Sequence, residues 1–305
     1  MDNMSNKLSG FFNLIRPFTL LAPLIVSICI MLASYFNHGF TLEGLKNIFF
    51  VTILPASFAL ALLNGGSNAL NQASDVKSDS ISKPYRPIPK GIISPLDAKY
   101  ISAVIYLTAF IISFFVNPVF CLFVGMIILF TVTYSLPPRL KDRLFFNQVW
   151  IAVPRGFLGI MASWSVFGNP FDVLPLTIGF IALCFLFGGS ITKDITDSYG
   201  DIKAGTKTLI NTYGVKASAF MVLPFMFTPF LMTPLLIEYN LLSASFWPIT
   251  FFVFPAFLIF FLMIKDDKKC RILENSSSWC AMYLTYFSLA FIFSIITIID
   301  STAAI

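Results

Sequence analysis

Charged residues are scarce in this chain. Only 11% of its 305 residues are Asp, Glu, Lys or Arg, whereas 57% are hydrophobic, and the mean hydropathy is +0.83. So little charge excludes a water-soluble globular fold. The 36 Phe residues exclude intrinsic disorder, which requires low hydrophobicity and high net charge. A net charge of only +5 gives no basis for nucleic-acid binding. The composition is that of a membrane protein.

Residues that bind transition metals or form disulfides are also few. The chain has one histidine, His38, and an odd number of cysteines with no Cys-x-x-Cys pair: Cys29, Cys121, Cys184, Cys270 and Cys280. The sequence therefore predicts neither a disulfide framework nor a zinc site. The first apolar run also lacks the small-residue cleavage pattern of a signal peptide, so we interpret it as a first transmembrane helix.

Long apolar runs, by contrast, are plentiful. A bilayer core about 30 Å thick is crossed by about 20 apolar residues in a helix. Nine segments approach this length, at residues 17–36, 47–70, 98–116, 119–134, 145–166, 173–192, 215–236, 246–264 and 279–299. The predicted fold is an all-α, multi-pass membrane protein that forms one domain over residues 1–305, with nine transmembrane helices around a central cavity.

Basic residues fall almost entirely on one side of these spans. The N-terminal tail and the loops after even-numbered spans contain eighteen of the 20 Lys and Arg residues, Lys268 and Lys269 among them, whereas the opposite side has only Lys46. Cytoplasmic loops are enriched in Lys and Arg, so we expect the N-terminus and these loops in the cytoplasm and the C-terminus outside the cell membrane. Eleven of the fifteen acidic residues lie on the same side, although acids contribute little to orientation. Their placement indicates a functional site.

The first of two acidic motifs follows the second span. Polar residues recur there at intervals of three and four, at Asn64, Asn68, Asn71, Asp75 and Asp79. If the helix continues as far as Asp79, these side chains share one face of it, because residues three and four apart are neighbours on a helix.

The second motif follows the sixth span and has the same character. Lys193 and Asp194 lead into Asp197 and Asp201, so three acids again lie at helical spacing. An internal duplication of about four helices, residues 17–134 against 145–264, with a ninth helix at 279–299, would bring the two motifs face to face. One motif alone is equally typical of a solvated, salt-bridged helix end, but two at matching positions favour a site.

Five carboxylates at one place repel one another unless a cation neutralises them. All-oxygen ligands select a hard ion, and Mg²⁺ typically takes one or two protein carboxylates while substrate phosphates complete its octahedron. The interleaved basic residues are suited to the remaining phosphate oxygens. The pattern therefore indicates a metal–diphosphate site. A cation-coupled transporter also places carboxylates on two pseudo-repeats, but near the bilayer midplane, whereas these motifs continue into basic loops.

The two motifs resemble those of the UbiA-type superfamily of intramembrane prenyltransferases, which are nine-helix proteins with N-x-x-x-D-x-x-x-D after helix two and D-x-x-x-D after helix six. The first corresponds to Asn71, Asp75 and Asp79, and the second to Asp197 and Asp201. Residues 193–201 and the Arg-Pro-Ile-Pro run at 86–89 are similar to digeranylgeranylglyceryl phosphate synthase-like and chlorophyll-type members. Gln72, where many members have Asp, is a departure closer to homogentisate-type members.

The resemblance implies an enzyme that transfers an isoprenyl group from an allylic diphosphate to a lipid-soluble acceptor within the lipid bilayer. It implies two Mg²⁺ ions that bridge the diphosphate, one held by Asp75 and Asp79 and the other by Asp197 and Asp201. Asn71 is expected as a further, neutral oxygen ligand.

The resemblance also implies substrate-binding roles. Lys83, Arg86 and Lys193 are expected to hold the diphosphate, and Asn68 to orient it. Tyr134, in the Tyr-Ser-Leu-Pro-Pro run that closes the fourth span, is a further candidate. Asp194, which we include among the catalytic residues, is expected either to orient Lys193 or to serve the acceptor.

Arg155 falls inside the fifth predicted span. A centrally placed Arg costs at least about 2.5 kcal/mol on insertion scales, so it is expected to face the cavity and bind phosphate or acceptor, unless it extends to the cytoplasmic interface.

The donor expected from the resemblance is geranylgeranyl diphosphate. The leading acceptor is geranylgeranylglyceryl phosphate, which would place the enzyme in ether-lipid synthesis. The alternative is an aromatic or tetrapyrrole acceptor, such as hydroxybenzoate, homogentisate or chlorophyllide, in quinone or pigment synthesis.

Overall fold

The computed structural model describes residues 2–265, 271–272 and 275–303. Cys270, Lys268 and Lys269 lie outside these ranges. The chain is helical apart from a two-stranded antiparallel hairpin, β1 (Arg271–Ile272) with β2 (Asn275–Ser276). The helices are α1 Asp2–Ile15, α2 Pro17–Asn37, α3 Leu45–Ile48, α4 Leu54–Ser74, α5 Val76–Ser82, α6 Pro95–Phe114, α7 Pro118–Ser135, α8 Phe146–Ala152, α9 Gly159–Trp164, α10 Val173–Gly189, α11 Asp194–Ala204, α12 Leu209–Leu231, α13 Thr233–Glu238, α14 Val253–Ile264 and α15 Ser277–Ala303.

Short segments of other helical types join several of these helices. Two wider π turns, Phe49–Ile53 and Val153–Leu158, connect α3 to α4 and α8 to α9. Three tighter 3-10 segments comprise Leu140–Asp142, Ser190–Lys193 and Ala244–Phe252. The helical path therefore continues through most of the predicted spans even where its hydrogen-bond pattern changes.

Local sequence explains where several helices begin. Proline stands at the start of α2, α6 and α7, where its missing N–H has no intrahelical partner to lose. Ser94 accepts a hydrogen bond from the Asp97 backbone N–H at 3.0 Å, and Asn117 accepts one from Phe120 at 2.8 Å. These side chains satisfy backbone donors that a helix start leaves free.

Eight helical segments among the described residues are long and apolar enough to cross a membrane: Pro17–Asn37, Leu45–Ser74, Pro95–Phe114, Pro118–Ser135, Val173–Ala204, Leu209–Glu238, Ala244–Ile264 and Ser277–Ala303. They coincide with eight of the nine predicted spans. The fifth predicted span, 145–166, is helical through α8, the π turn and α9, but Asn147, Gln148 and Arg155 reduce its apolar character.

The long helices form a closed ring. Contacts run from α2 to α4, α6 and α7, then through α9 to α10, α12, α14 and α15, and α15 packs back against α2. At one end of the ring α5 packs against α11, and we call this the acidic end. Towards the other end the interior is filled by fully buried residues, including Trp164 and Phe293, and Ser34 donates a hydrogen bond to the Trp164 carbonyl at 2.8 Å. The end of the ring opposite the acidic end is therefore filled with side chains.

The first acidic motif does not lie on one uninterrupted helix. Helix α4 ends at Ser74, and Asp75 has φ −104° and ψ 19°, outside helical values. The hydrogen bonds nevertheless continue across this kink, from the Asp75 N–H to the Asn71 carbonyl and from the Asp79 N–H to the Asp75 carbonyl. Ser74 also donates from its hydroxyl to the Asn71 carbonyl at 3.0 Å, a side-chain bond that competes with regular helix. The motif bends but keeps its residues on one side.

Candidate active site

A polar chamber opens at the acidic end, and α4, α5, α8 and α11 contribute to its walls. All twelve site residues predicted from the sequence line this one chamber: Asn68, Asn71, Asp75, Asp79, Lys83, Arg86, Tyr134, Arg155, Lys193, Asp194, Asp197 and Asp201. Asp75 and Asp197, 122 positions apart in the sequence, thus face the same space. The structure therefore brings the predicted residues together.

Acids and bases in the chamber are paired across elements. Lys83 Nζ lies 2.5 Å from Asp197 Oδ1, which links the first motif to the second. Arg86 Nη1 donates to both oxygens of Asp79, at 3.0 and 2.8 Å. Asp75 is paired with Lys141. The two motifs are therefore held by complementary charge.

Burial affects the ionisation of several groups beyond the spanning helices. Burial lowers the pKa of Lys83, against the opposing attraction of Asp197, and it lowers the pKa of Lys141, against Asp75. Burial likewise raises the pKa of Asp79, although the Arg86 guanidinium opposes the change. In each case desolvation disfavours the charged form and the partner favours it. The charge that Lys83 and Lys141 present to an anionic ligand therefore depends on their pairing with Asp197 and Asp75.

A second network supports Lys193. Its ammonium group pairs with Asp194, which is only 1% exposed, and Asn147 donates to the other Asp194 oxygen at 3.0 Å. Tyr134 donates from its hydroxyl to Asn147 Oδ1 at 3.0 Å. Of the two roles predicted for Asp194, the contacts favour the orientation of Lys193.

The asparagines of the first motif have different surroundings. Asn71 Oδ1 accepts a hydrogen bond from Lys141 Nζ at 2.8 Å. Asn68 donates to the Ile15 carbonyl and to the Thr19 hydroxyl, both at 2.8 Å. Asn68 therefore fixes the junction of α1 and α2 beside the chamber, while Asn71 belongs to the charged network.

Sequence reasoning missed several chamber residues. Lys141 was counted only as a topological charge, and Asn147, Ser78 and Tyr283 were not singled out at all. Asn147 carried one signal, because an Asn among the first residues of an apolar span is unusual. The position of Lys141 beside Asp75 depends on the fold of the loop that follows α7, which the sequence pattern does not specify.

The donor atoms near the two motifs bear on the predicted metal site. Within residues 2–265, 271–272 and 275–303, no group of three or more His, Cys, Asp or Glu side chains is placed to hold a metal ion. The donors near the two motifs are carboxylate and amide oxygens, which suit Mg²⁺ chemically. Since Mg²⁺ commonly takes only one or two protein carboxylates and draws its other ligands from phosphate and water, these residues fit an ion that is shared with a substrate.

The polar chamber continues into an apolar chamber. Seven residues line both: Thr131, Ile151, Pro154, Arg155, Lys193, Trp279 and Tyr283. The remaining wall is largely aliphatic, with Val26, Leu60, Leu63, Ile127 and Leu186. Although Phe is abundant in the chain, no described Phe lines this chamber. The walls suit a hydrocarbon chain whose charged head lies in the polar chamber.

Fold and site together define a helical membrane protein with one charged, polar chamber and an adjoining apolar one. The chain belongs to the UbiA prenyltransferase family, whose model matches residues 20–279. This confirms the resemblance drawn from the two motifs, and the protein is an integral membrane enzyme, a prenyltransferase.

Individual relatives agree with the family. A digeranylgeranylglyceryl phosphate synthase from Methanosphaera stadtmanae is 27% identical over 259 residues, covering 82% of this chain and 88% of the relative. The synthase of the same name from Methanothermobacter thermautotrophicus is 29% identical and covers 78% and 84%. A solved UbiA homologue from Archaeoglobus fulgidus, bound to DMAPP and Mg²⁺, has a TM-score of 0.72 at 16% identity, covering 94% of this chain and 98% of that one. At this identity, the similarity to the A. fulgidus structure shows a shared fold.

Proposed function

We propose that this enzyme transfers an isoprenyl group from an allylic diphosphate, geranylgeranyl diphosphate, to geranylgeranylglyceryl phosphate in the synthesis of a membrane ether lipid. The observation that carries the proposal is the junction of the two chambers, because one substrate with a charged head and a long apolar tail fits both. The names of the two archaeal synthases support this acceptor.

The diphosphate lies in the polar chamber, beside α5 and α11, in this proposal. Lys83, Arg86 and Lys193 line that space and contact the phosphate oxygens, exchanging part of their present pairing with carboxylates for the ligand. Asn68 and Tyr134 shape the wall beside the headgroup. Asp194 and Asn147 keep Lys193 directed into the chamber.

Asp75, Asp79, Asp197 and Asp201, together with Asn71, would hold Mg²⁺ there, and we propose two ions. Bound Mg²⁺ supplies positive charge that stabilises the departing diphosphate. The A. fulgidus homologue, solved with DMAPP and Mg²⁺, supports a divalent ion of this kind.

The reaction exchanges one carbon–oxygen bond for another. The bond between the allylic carbon and the diphosphate breaks, a new ether bond forms to the hydroxyl of the acceptor, and the hydroxyl proton leaves with the diphosphate. The bases around the headgroup stabilise charge that develops on the leaving group. The apolar chamber keeps water away from the allylic carbon, which would otherwise be hydrolysed.

We also propose how the chain lies in the membrane. The segment from α8 to α9 is the fifth of nine transmembrane helices and completes the set, because it packs against α7 and α10 in the ring. The halves 17–134 and 145–264 form a pseudo-repeat, in keeping with the packing of α5 against α11. The excess of Lys and Arg at the acidic end supports a cytoplasmic N-terminus and active site, a C-terminus outside, and residence in the cell membrane.

The test uses the purified full chain with labelled geranylgeranyl diphosphate, Mg²⁺ and each candidate acceptor in turn. We expect an alkylated product from geranylgeranylglyceryl phosphate, one diphosphate released per transfer, and loss of both when EDTA removes the metal. A product only from hydroxybenzoate, homogentisate or chlorophyllide would replace the acceptor. Recovery of the donor intact with every acceptor would contradict the transfer itself.

A further inference from the structure

Arg155 occupies an unusual position on the wall shared by the two chambers. It lies in the π turn Val153–Leu158, next to Pro154, whose missing backbone N–H removes one regular helical bond. Its side chain is exposed to the cavity, although its neighbours Pro154 and Gly156 are buried. Single π turns inside helices occur frequently at functional sites. The local backbone thus presents a guanidinium group to the interior of the ring.

Among the described residues, the side-chain hydrogen bonds of Arg155 go to uncharged groups. Its Nη2 donates to Asn64 Oδ1 at 3.0 Å and its Nη1 to the Tyr283 hydroxyl at 3.4 Å. Among the described residues it forms no ion pair, whereas Lys83 and Lys193 are each paired with a carboxylate in the same chamber. A positive charge within a membrane-spanning segment is expensive to keep, and such residues mark functional sites by default.

Arg155 lies deeper in the ring than the aspartates of the first motif. Its partner Asn64 precedes Asp75 by eleven positions, about 16 Å along a helix, and precedes Asn68 by one helical turn. Asn64 lines the apolar chamber, Asn68 and Asp75 line the polar one, and Arg155 lines both. Arg155 is therefore placed where the two chambers meet, on the apolar side of the proposed headgroup site.

We infer that Arg155 binds the anionic group of the acceptor, an oxyanion of the phosphate or carboxylate type. This inference rests on the proposed function. The planar guanidinium matches two oxygens of either group at once, and it is more weakly hydrated than an ammonium, which suits an apolar setting. An acceptor anchored there presents its nucleophile at the junction of the two chambers, where the allylic carbon of the donor lies in this proposal. The anchor thus selects anionic acceptors and orients their nucleophile.

The experiment compares matched acceptors with and without the anion, in the presence of geranylgeranyl diphosphate and Mg²⁺. One arm uses geranylgeranylglyceryl phosphate against geranylgeranylglycerol, and the other uses 4-hydroxybenzoate against phenol. In the arm that the unaltered enzyme accepts, we expect Arg155→Gln to raise the KM of the anionic acceptor about 10- to 100-fold, as for a lost charged hydrogen bond. The KM of the donor should stay within about 2-fold, and the preference for the anionic acceptor should disappear. Arg155→Lys should restore part of it, because it keeps the charge but not the fork.

Tyr283→Phe is the structural control, since it removes a hydrogen-bond partner of Arg155 but leaves the guanidinium in place. Tyr283→Phe should keep the preference for the anionic acceptor. If Arg155→Gln fails to fold, the comparison of Tyr283→Phe with Arg155→Lys still tests the assignment. Equal losses for charged and neutral acceptors in the Arg155 variants, or the same loss of preference in Tyr283→Phe, would show that Arg155 only holds the helices. No product from any acceptor with the unaltered chain would overturn both the proposed function and this assignment, whereas product formation with an unchanged preference would overturn the assignment alone.

Discussion

The two acidic segments look alike in sequence and are built differently. Both space their aspartates by four residues, Asp75 and Asp79 in the first and Asp197 and Asp201 in the second. The first segment kinks between α4 and α5, whereas the second continues from α10 through one tight turn into α11. Helix α11 then ends at Gly205, which takes the left-handed conformation that glycine adopts at low cost.

The sources of their partners differ as well. Asp75 is held by Arg139 and Lys141, from the loop after α7. The aspartates of the second segment are instead held by the first segment, since Lys83 pairs with Asp197 and Ser78 donates to Asp201 at 2.9 Å. The first segment thus organises the second. Equal spacing in a sequence does not imply equal roles in a site.

The largest expected effect comes from the aspartates themselves. Asp75→Asn and Asp201→Asn should each reduce turnover by at least about 100-fold, because even partners of metal ligands are worth 10- to 100-fold. Their stabilities should differ. Asp75→Asn leaves the buried Lys141 without its counter-charge and should lower the free energy of unfolding by about 1–3 kcal/mol, whereas Asp201→Asn should lower it by less than about 1 kcal/mol.

Turnover with geranylgeranyl diphosphate and thermal unfolding in detergent measure the two effects. Asp97→Asn is the matched control, because Asp97 is an exposed acid in the first turn of α6, away from the chamber. It should leave both quantities unchanged. Full turnover in Asp75→Asn would contradict the metal assignment, and equal destabilisation in both variants would contradict the asymmetry between the segments.

The contact between the segments depends on a missing side chain. A Cβ added at Gly200 would lie 2.0 Å from the Ser82 hydroxyl and 2.8 Å from the Ser78 backbone carbonyl. Gly200→Ala should therefore push α5 and α11 apart, with an overpacking cost of about 1–3 kcal/mol and a loss of donor binding. Donor KM and thermal unfolding report these changes.

Gly125→Ala is the control for that substitution. A Cβ at Gly125 meets only the Phe110 ring, at an ordinary 3.7 Å. Its effects should be small, because alanine is the better helix former. If Gly200→Ala proved equally harmless, α5 and α11 would not need their close approach for activity.

Much of this arrangement is readable from the sequence, and the reasons are physical. Apolar run length located eight spans because the bilayer sets the length of a helix. Residue spacing then predicted that both motifs face one site, and all twelve predicted site residues line one chamber. Gly200 lies within the run at 193–201 that resembles the family, but the sequence does not predict its close packing against Ser78.

Other features depend on long-range packing. The ion pairs of Lys83 and Lys141 join residues from different loops, and hydrophobic periodicity carries no information about them. The kink at Asp75 was also not predicted, because spacing at three and four fits both a straight and a bent helix. The fifth span was also predicted from apolar run length, but it is not among the eight described segments that are long and apolar enough to cross a membrane, because its polar residues weaken the apolar signal.

Two double-mutant cycles would sharpen the comparison by measuring the ion pair that joins the two segments against an ion pair within the loop after α7. Lys83 and Asp197 have side chains 7% and 28% exposed, whereas those of Arg139 and Asp142 are both 31% exposed. The cycle of Lys83→Met with Asp197→Asn should show a coupling of about 2 kcal/mol in stability. The cycle of Arg139→Met with Asp142→Asn should show less than about 1 kcal/mol. Couplings in the reverse order would mean that the loop after α7, and not the first segment, holds the site together.

The smallest effect is expected at Ser78. Ser78→Ala removes one hydrogen bond to Asp201 Oδ1 but leaves the Lys83–Asp197 pair in place. It should lower the free energy of unfolding by about 0.5 kcal/mol and turnover by a few-fold, at the low end for a single hydrogen bond because Ser78 is close to the open chamber. Ser80→Ala is the matched control on the same helix, because the exposed Ser80 hydroxyl bonds only to the Val76 carbonyl and should not affect turnover. A loss of turnover in Ser78→Ala as large as that in Asp201→Asn would mean that the orientation of the Asp201 carboxylate, and not its charge, limits the reaction.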